Sequence, residues 1–143
     1  VREASPSMLP LIRPGDELLL APLDAQPIKR GAVIAYERGA QLVIHRVLTA
    51  SRSGVVAKGD GLASADPLVP RERVVARVVA LRGPDGRLVG LDVFPWPLLD
   101  HLLGWITAAG SRLSTETCGA ASPRRLAWKA LRVPFYLARL ALR

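Results

Sequence analysis

The sequence predicts a mainly β fold with a helical tail, on three observations. Short apolar runs recur through residues 1–92, each bounded by glycine, proline or aspartate. The 143 residues include twelve glycines and twelve prolines, a usage that suits short strands and turns better than a helical bundle. From residue 93 the character changes: all three tryptophans and both phenylalanines lie beyond that point. The expected organisation is therefore a β domain over 1–92 and a basic, aromatic tail over 93–143, with a linker near 110–121.

Taken in order, Pro14, Gly15 and Asp16 signal a turn before the apolar run Glu17 to Ala21, a first strand. Gly31 to Tyr36 repeats the pattern after Lys29 and Arg30. Gln41 to Thr49 and Gly54 to Lys58 flank Ser51, Arg52 and Ser53, as the arms of a hairpin do. Val74 to Leu81 is rich in valine and reads as a buried strand. Pro84, Asp85 and Gly86 make a strong turn before Arg87 to Val93, a second hairpin.

In the tail, residues 98–109 read as an apolar helix introduced by two prolines. Ser122 and Pro123 make a helix start, a capping hydroxyl followed by proline in the first turn. Beyond them Arg125, Lys129, Arg132, Arg139 and Arg143 fall on one narrow stripe at about 100° per residue. Pro134 is expected to kink that helix. The net charge of +8 divides as +3 over 1–92 and +5 over 93–143. A basic, aromatic tail suits an acidic partner, and the stripe favours an anionic membrane surface over nucleic acid. A helix packed on the β domain with its arginines exposed fits the pattern equally well. The expected location is membrane-associated, with a cytoplasmic one as the alternative.

Other classes are excluded. One cysteine, Cys118, allows no internal disulfide, and two distant histidines with one cysteine give no metal-ligand spacing. No metal or other cofactor is expected. The best apolar stretch, 88–109, is broken by Asp92, Pro95, Pro97, Asp100 and His101, which a bilayer core tolerates poorly.

Three short segments carry chemistry. In SPSMLP, Ser7 lies between Pro6 and Pro10, so its backbone is stiff, and a nucleophile gains from rigid placement. In VIHRV, His45 interrupts an apolar run and shares a strand face with Val43 and Val47, while Arg46 points to the other face. An imidazole there is mostly neutral near pH 7 and can accept a proton. In KGDGLASAD, Asp60 and Asp66 both follow the strand ending at Lys58, and sequence spacing does not choose between them. A hydroxyl, an imidazole and a carboxylate are the parts of a serine hydrolase.

As a set these segments resemble the signal peptidase I and LexA-type superfamily of serine peptidases. SPSMLP looks like its S-x-S-M-x-P nucleophile box, and RPGDELLL and GAVIAY like the two strands that follow. VIHRV resembles its general-base strand, KGDGLASAD its turn-and-aspartate segment, and the run ending at Val79 its closing strand. The likeness spans residues 5–82. Where LexA-like and usual bacterial members carry lysine as base, this chain has His45, as do the endoplasmic-reticulum-type signal peptidases.

The resemblance implies a compact β fold and a serine endopeptidase without cofactors, acting on a precursor or signal-peptide-like substrate with small residues, often alanine, near the cleavage point. It implies Ser7 as nucleophile, His45 as base and Asp66 as orienting acid, with Asp60 second choice. It implies an oxyanion hole from Ser5 and the Ser7 N–H, and a structural role for Asp16. A lysine base would have to be Lys58, displaced from where that branch carries it. Two rivals remain: a catalytically inactive peptide-binding module of the same fold, and a basic protein bound to membrane or nucleic acid through 123–143. Six residues precede Ser7, whereas signal peptidases carry a transmembrane anchor there, and the large extra β domain of many bacterial members has no counterpart.

Overall fold

The computed structural model of the chain describes residues 1–23, 27–91, 102–106 and 133. The described fold is mainly β. Seven strands form one antiparallel sheet: β1 (Glu17–Pro22), β2 (Val33–Arg38), β3 (Gln41–Ala50), β4 (Gly54–Lys58), β5 (Val69–Pro70), β6 (Val74–Arg82) and β7 (Leu88–Gly90). Their order is β1-β6-β2-β3-β4-β5, with β7 beside β6. β6 runs along β1 through Ala76 to Arg82, while its other edge pairs first with β2 and then with β7. Five strands start and stop within a few residues of the expected runs, because the turn residues bounding those runs fix their ends. The two-residue β5 falls below what a period of two can signal.

Register shifts at Leu19/Leu20, Ala35/Tyr36 and Val47/Thr49 interrupt the ladders. Such irregularities bend strands and increase twist, which lets a sheet curl and bury both faces. One face of β2 and β3, carrying Val33, Ala35 and Ile44, joins Ala76, Val78 and Leu81 of β6 in a core with Met8, Leu11 and Ile12. The other face, carrying Ile34, Tyr36, Val43 and Val47, packs with Val55, Ala57, Val69 and Val74. β3 is thus buried on both faces from Val43 to Leu48.

The opening segment is pinned to the outer edge of β1. Leu18 N–H donates to the Val1 carbonyl at 2.6 Å, Glu3 N–H to Asp16 O at 2.9 Å, and Gly15 N–H to Glu3 O at 2.7 Å. Asp16, fully buried, accepts from Arg13 N–H through Oδ2 at 2.8 Å and so closes the turn before β1. In the tail, a short helix covers 102–106, inside the expected 98–109. Leu103 is buried in the same core as Met8 and Leu11. Gly104 lies so close to Gly31 that a Cβ there would meet the Gly31 Cα at 2.9 Å. The Arg30 guanidinium sits 4.2 Å over the Trp105 ring, a cation–π contact. His101, Cys118, the linker near 110–121 and the basic stripe from Arg125 to Arg143 lie outside the described residues. Among the described residues no helix is long and apolar enough to cross a membrane.

Candidate active site

Ser7 sits in a one-turn 3-10 helix, Pro6–Met8, started by a proline and capped by Ser5. Three residues of the same loop, Met8, Leu11 and Ile12, are fully buried, so the loop is fastened by its apolar side chains while Ser7 remains half-exposed. Glu3 accepts from Ser5 N–H at 2.8 Å and fixes the entry to the turn.

His45 projects from the middle of β3, opposite Ile34 of β2, and is 2 % exposed. The acid reaches it because the loop after β4 doubles back: Asp66 N–H donates to the Ala57 carbonyl at 2.8 Å, seating Asp66 against β4. From there the Asp66 Oδ2 lies 2.5 Å from His45 Nδ1. Burial pushes the Asp66 carboxyl up, but the bond to His45, its charge, the Tyr36 hydroxyl and Arg38 outweigh that, and the group stays below the usual carboxylate range. An ionised carboxylate only accepts, so Nδ1 carries a ring proton, and in the neutral imidazole Nε2 is the nitrogen left to accept.

Nε2 lies on the side of the serine turn. A Cβ built on Gly59 would stand 2.6 Å from the Ser7 carbonyl oxygen and 3.0 Å from His45 Nε2, so imidazole and serine turn meet across this one glycine. Gly61 N–H donates to the Ser7 carbonyl at 2.8 Å. A Cβ on Gly61 would come within 3.1–3.2 Å of the carbonyls of Pro6, Leu9 and Ser7. The Gly59–Asp60–Gly61 turn is therefore the seat of the serine loop, and both glycines are needed for close approach rather than for a special φ. The signal in the sequence was the GDG triplet, which reads as an ordinary turn until its neighbours are known.

The fold brings Ser7, His45 and Asp66 to one place, and the two bonds expected of them are not equally formed. His45 and Asp66 are joined directly. No hydrogen bond joins the Ser7 hydroxyl to His45 Nε2; the Ser7 backbone carbonyl and Nε2 both lie against Gly59. Ser5 and the Ser7 N–H lie together as expected, but bonded to each other: Ser7 N–H donates to Ser5 Oγ at 3.0 Å, which caps the 3-10 turn. Ser5 still has its own O–H to give.

Asp60, the second-choice acid, is elsewhere engaged. Its carboxylate takes two bonds from Arg46, Nε to Oδ1 and Nη2 to Oδ2, both at 2.9 Å, and Arg46 Nη1 donates to the Gly31 carbonyl at 2.7 Å. Both side chains are completely buried. Lys58 is fully buried too, opposite Arg46 in the β3–β4 pair. Two neighbours of Asp66 carry no signal in the sequence. Arg38 Nη1 lies 3.5 Å from Asp66 Oδ1, and the Tyr36 ring stands edge-on to His45 with centroids 6.1 Å apart. Among the described residues no three histidine, cysteine, aspartate or glutamate side chains group as metal ligands would.

No family model, curated protein or solved structure matches this chain.

Proposed function

We propose that the protein is a serine endopeptidase, with Ser7 as nucleophile, His45 as general base and Asp66 as the acid that orients it. The observation that carries this reading is an imidazole tied through Nδ1 to Asp66 at 2.5 Å while Nε2 faces the Ser7 turn across Gly59. A buried histidine serving structure alone needs one partner; here the second nitrogen lies against Gly59, beside the rigid, half-exposed serine loop.

In the proposed reaction a rotation of the Ser7 side chain brings Oγ to Nε2. Apo active sites often hold such bonds open, and they tighten when substrate binds. Oγ attacks the peptide carbonyl carbon as Nε2 takes its proton. The Ser7 N–H exchanges Ser5 Oγ for the developing oxyanion, and the Ser5 O–H becomes a second donor to it. His45 then protonates the departing amine, and water repeats the sequence on the acyl-enzyme. Because an imidazole must be neutral to act as base, activity rises with pH through its titration. A rate that depends on a group titrating far above neutrality indicates a lysine base instead.

The substrate in this reading is an extended precursor peptide with alanine-like residues at the cleavage point, met at an anionic membrane surface. The +5 charge over 93–143 supports that location. An alanine-rich fluorogenic peptide and a fluorophosphonate probe test the reading together. The wild-type chain cleaves the first and is labelled by the second, and Ser7→Ala loses both. Cleavage that survives in Ser7→Ala, or a wild-type chain that binds the peptide without cutting it, sinks the proposal. Salt-sensitive sedimentation with anionic liposomes tests the location separately.

A further inference from the structure

Tyr36 and Arg38 are two apart on β2, so both leave the sheet on the face that carries Ile34, the residue opposite His45. Tyr36 is 2 % exposed. Its hydroxyl is buried and has no hydrogen-bond partner in the resting geometry. A buried hydroxyl left so is costly and normally finds an acceptor. Burial raises the Tyr36 phenol well above its usual range, with Asp66 adding to it, and the Tyr36 ring stands edge-on to the His45 ring that Asp66 holds. Arg38 already stands on Asp66 Oδ1. Tyr36, Arg38 and Asp66 also share the lining of a cleft of about 150 Å³ that opens beside the carboxylate.

We propose that Tyr36 and Arg38 are positioning residues for the site: they share the Asp66 carboxylate with His45, Arg38 on Oδ1 and the Tyr36 hydroxyl as a further donor, leaving Oδ2 to Nδ1. This rests on the peptidase reading only for its catalytic consequence. A carboxylate charge spread over several donors remains ionised yet pulls less on any one proton. The imidazole is then oriented without being over-stabilised in its protonated form, and gives up its proton more readily. Glu37 and Arg73 also line the cleft, while Arg46, Lys58 and Asp60 belong to the other face of the β3–β4 pair. None of these bridges His45 to Asp66.

The test follows the His45 ring by NMR titration in the full chain, with its signals assigned against a His101→Gln variant. Tyr36→Phe keeps the ring and removes the hydroxyl, and Arg38→Gln removes an exposed charge. Both variants are expected to move the imidazole midpoint to higher pH. On the alanine-rich peptide, Tyr36→Phe lowers kcat by about tenfold with KM unchanged, and the acid limb of its rate profile moves the same way as the titration. An unmoved titration in Tyr36→Phe overturns the proposal, and so does a raised KM with an unmoved titration, which makes Tyr36 a substrate contact. If Tyr36→Phe does not fold, Arg38→Gln decides by the same titration. Shifted titrations in a chain that cuts no peptide uphold the inference and reject the peptidase reading.

Discussion

Two charged pairs stand on opposite faces of β3, one residue apart, and each consists of a basic side chain from VIHRV and an acid from KGDGLASAD. The Arg46–Asp60 pair is sealed, with both side chains at zero exposure and two matched bonds at 2.9 Å. The His45–Asp66 pair keeps one end open: Asp66 remains 10 % exposed and His45 Nε2 faces a half-exposed serine turn. A guanidinium stays protonated and is spent on geometry, here by holding the GDG turn that seats Ser7. An imidazole can change charge, so its pair is free to do chemistry. Similar partners thus acquire different work from what surrounds them.

The largest expected effect separates the pairs by activity. Asp66→Asn lowers kcat by about 10⁴ through the wrong imidazole tautomer, with only a small loss of stability at neutral pH. Steady-state kinetics beside a denaturant melt checks both halves, and a large loss of stability in Asp66→Asn erases the distinction. Arg46→Met reverses the pattern. It strips the buried Asp60 carboxylate of its two guanidinium bonds and destabilises the fold by about 3–5 kcal/mol, read from the same melt. Restoring stability by a second change, Asp60→Leu, would show that the loss came from the carboxylate deprived of its guanidinium.

Gly59→Ala tests the place where the two pairs meet. A methyl group 2.6 Å from the Ser7 carbonyl must push the serine turn away from Nε2. The expected cost is about 1–3 kcal/mol in stability, with labelling of Ser7 falling further than the melt alone explains. The smallest effect is on acid stability. The Asp66 carboxyl lies below its usual 3.8 in the folded chain, so the stability it adds is complete above that value. It drains away as pH falls through the lower, folded-state value. Melts below about pH 4 should therefore show a shallower acid loss in Asp66→Asn than in wild type.

Much of this arrangement could be read along the chain. The strands from Glu17, Val33, Gln41, Gly54 and Val74 follow apolar runs whose turn residues act locally, so no distant contact was needed to find them. Ser7 and His45 announced themselves as polar groups in stiff or apolar frames. Tyr36 and Arg38 did not, because a tyrosine and an arginine at a strand end are ordinary until Asp66 arrives from a loop 28 residues past Arg38. Ser5 was expected beside the Ser7 N–H; that it caps the turn through that very N–H depends on backbone angles that no spacing reports.

The sequence by itself determined the β class, where along the chain the main strands fall, and which side chains possess a nucleophile, a base and an acid, since these depend on local alternation, turn chemistry and residue type. Only the tertiary structure decided between two aspartates six positions apart. That choice turns on which one the returning loop lays against β4 and which one a buried guanidinium captures first. Pairing across 14 and 21 residues is set by the path of the chain in space, and a linear spacing carries no record of it.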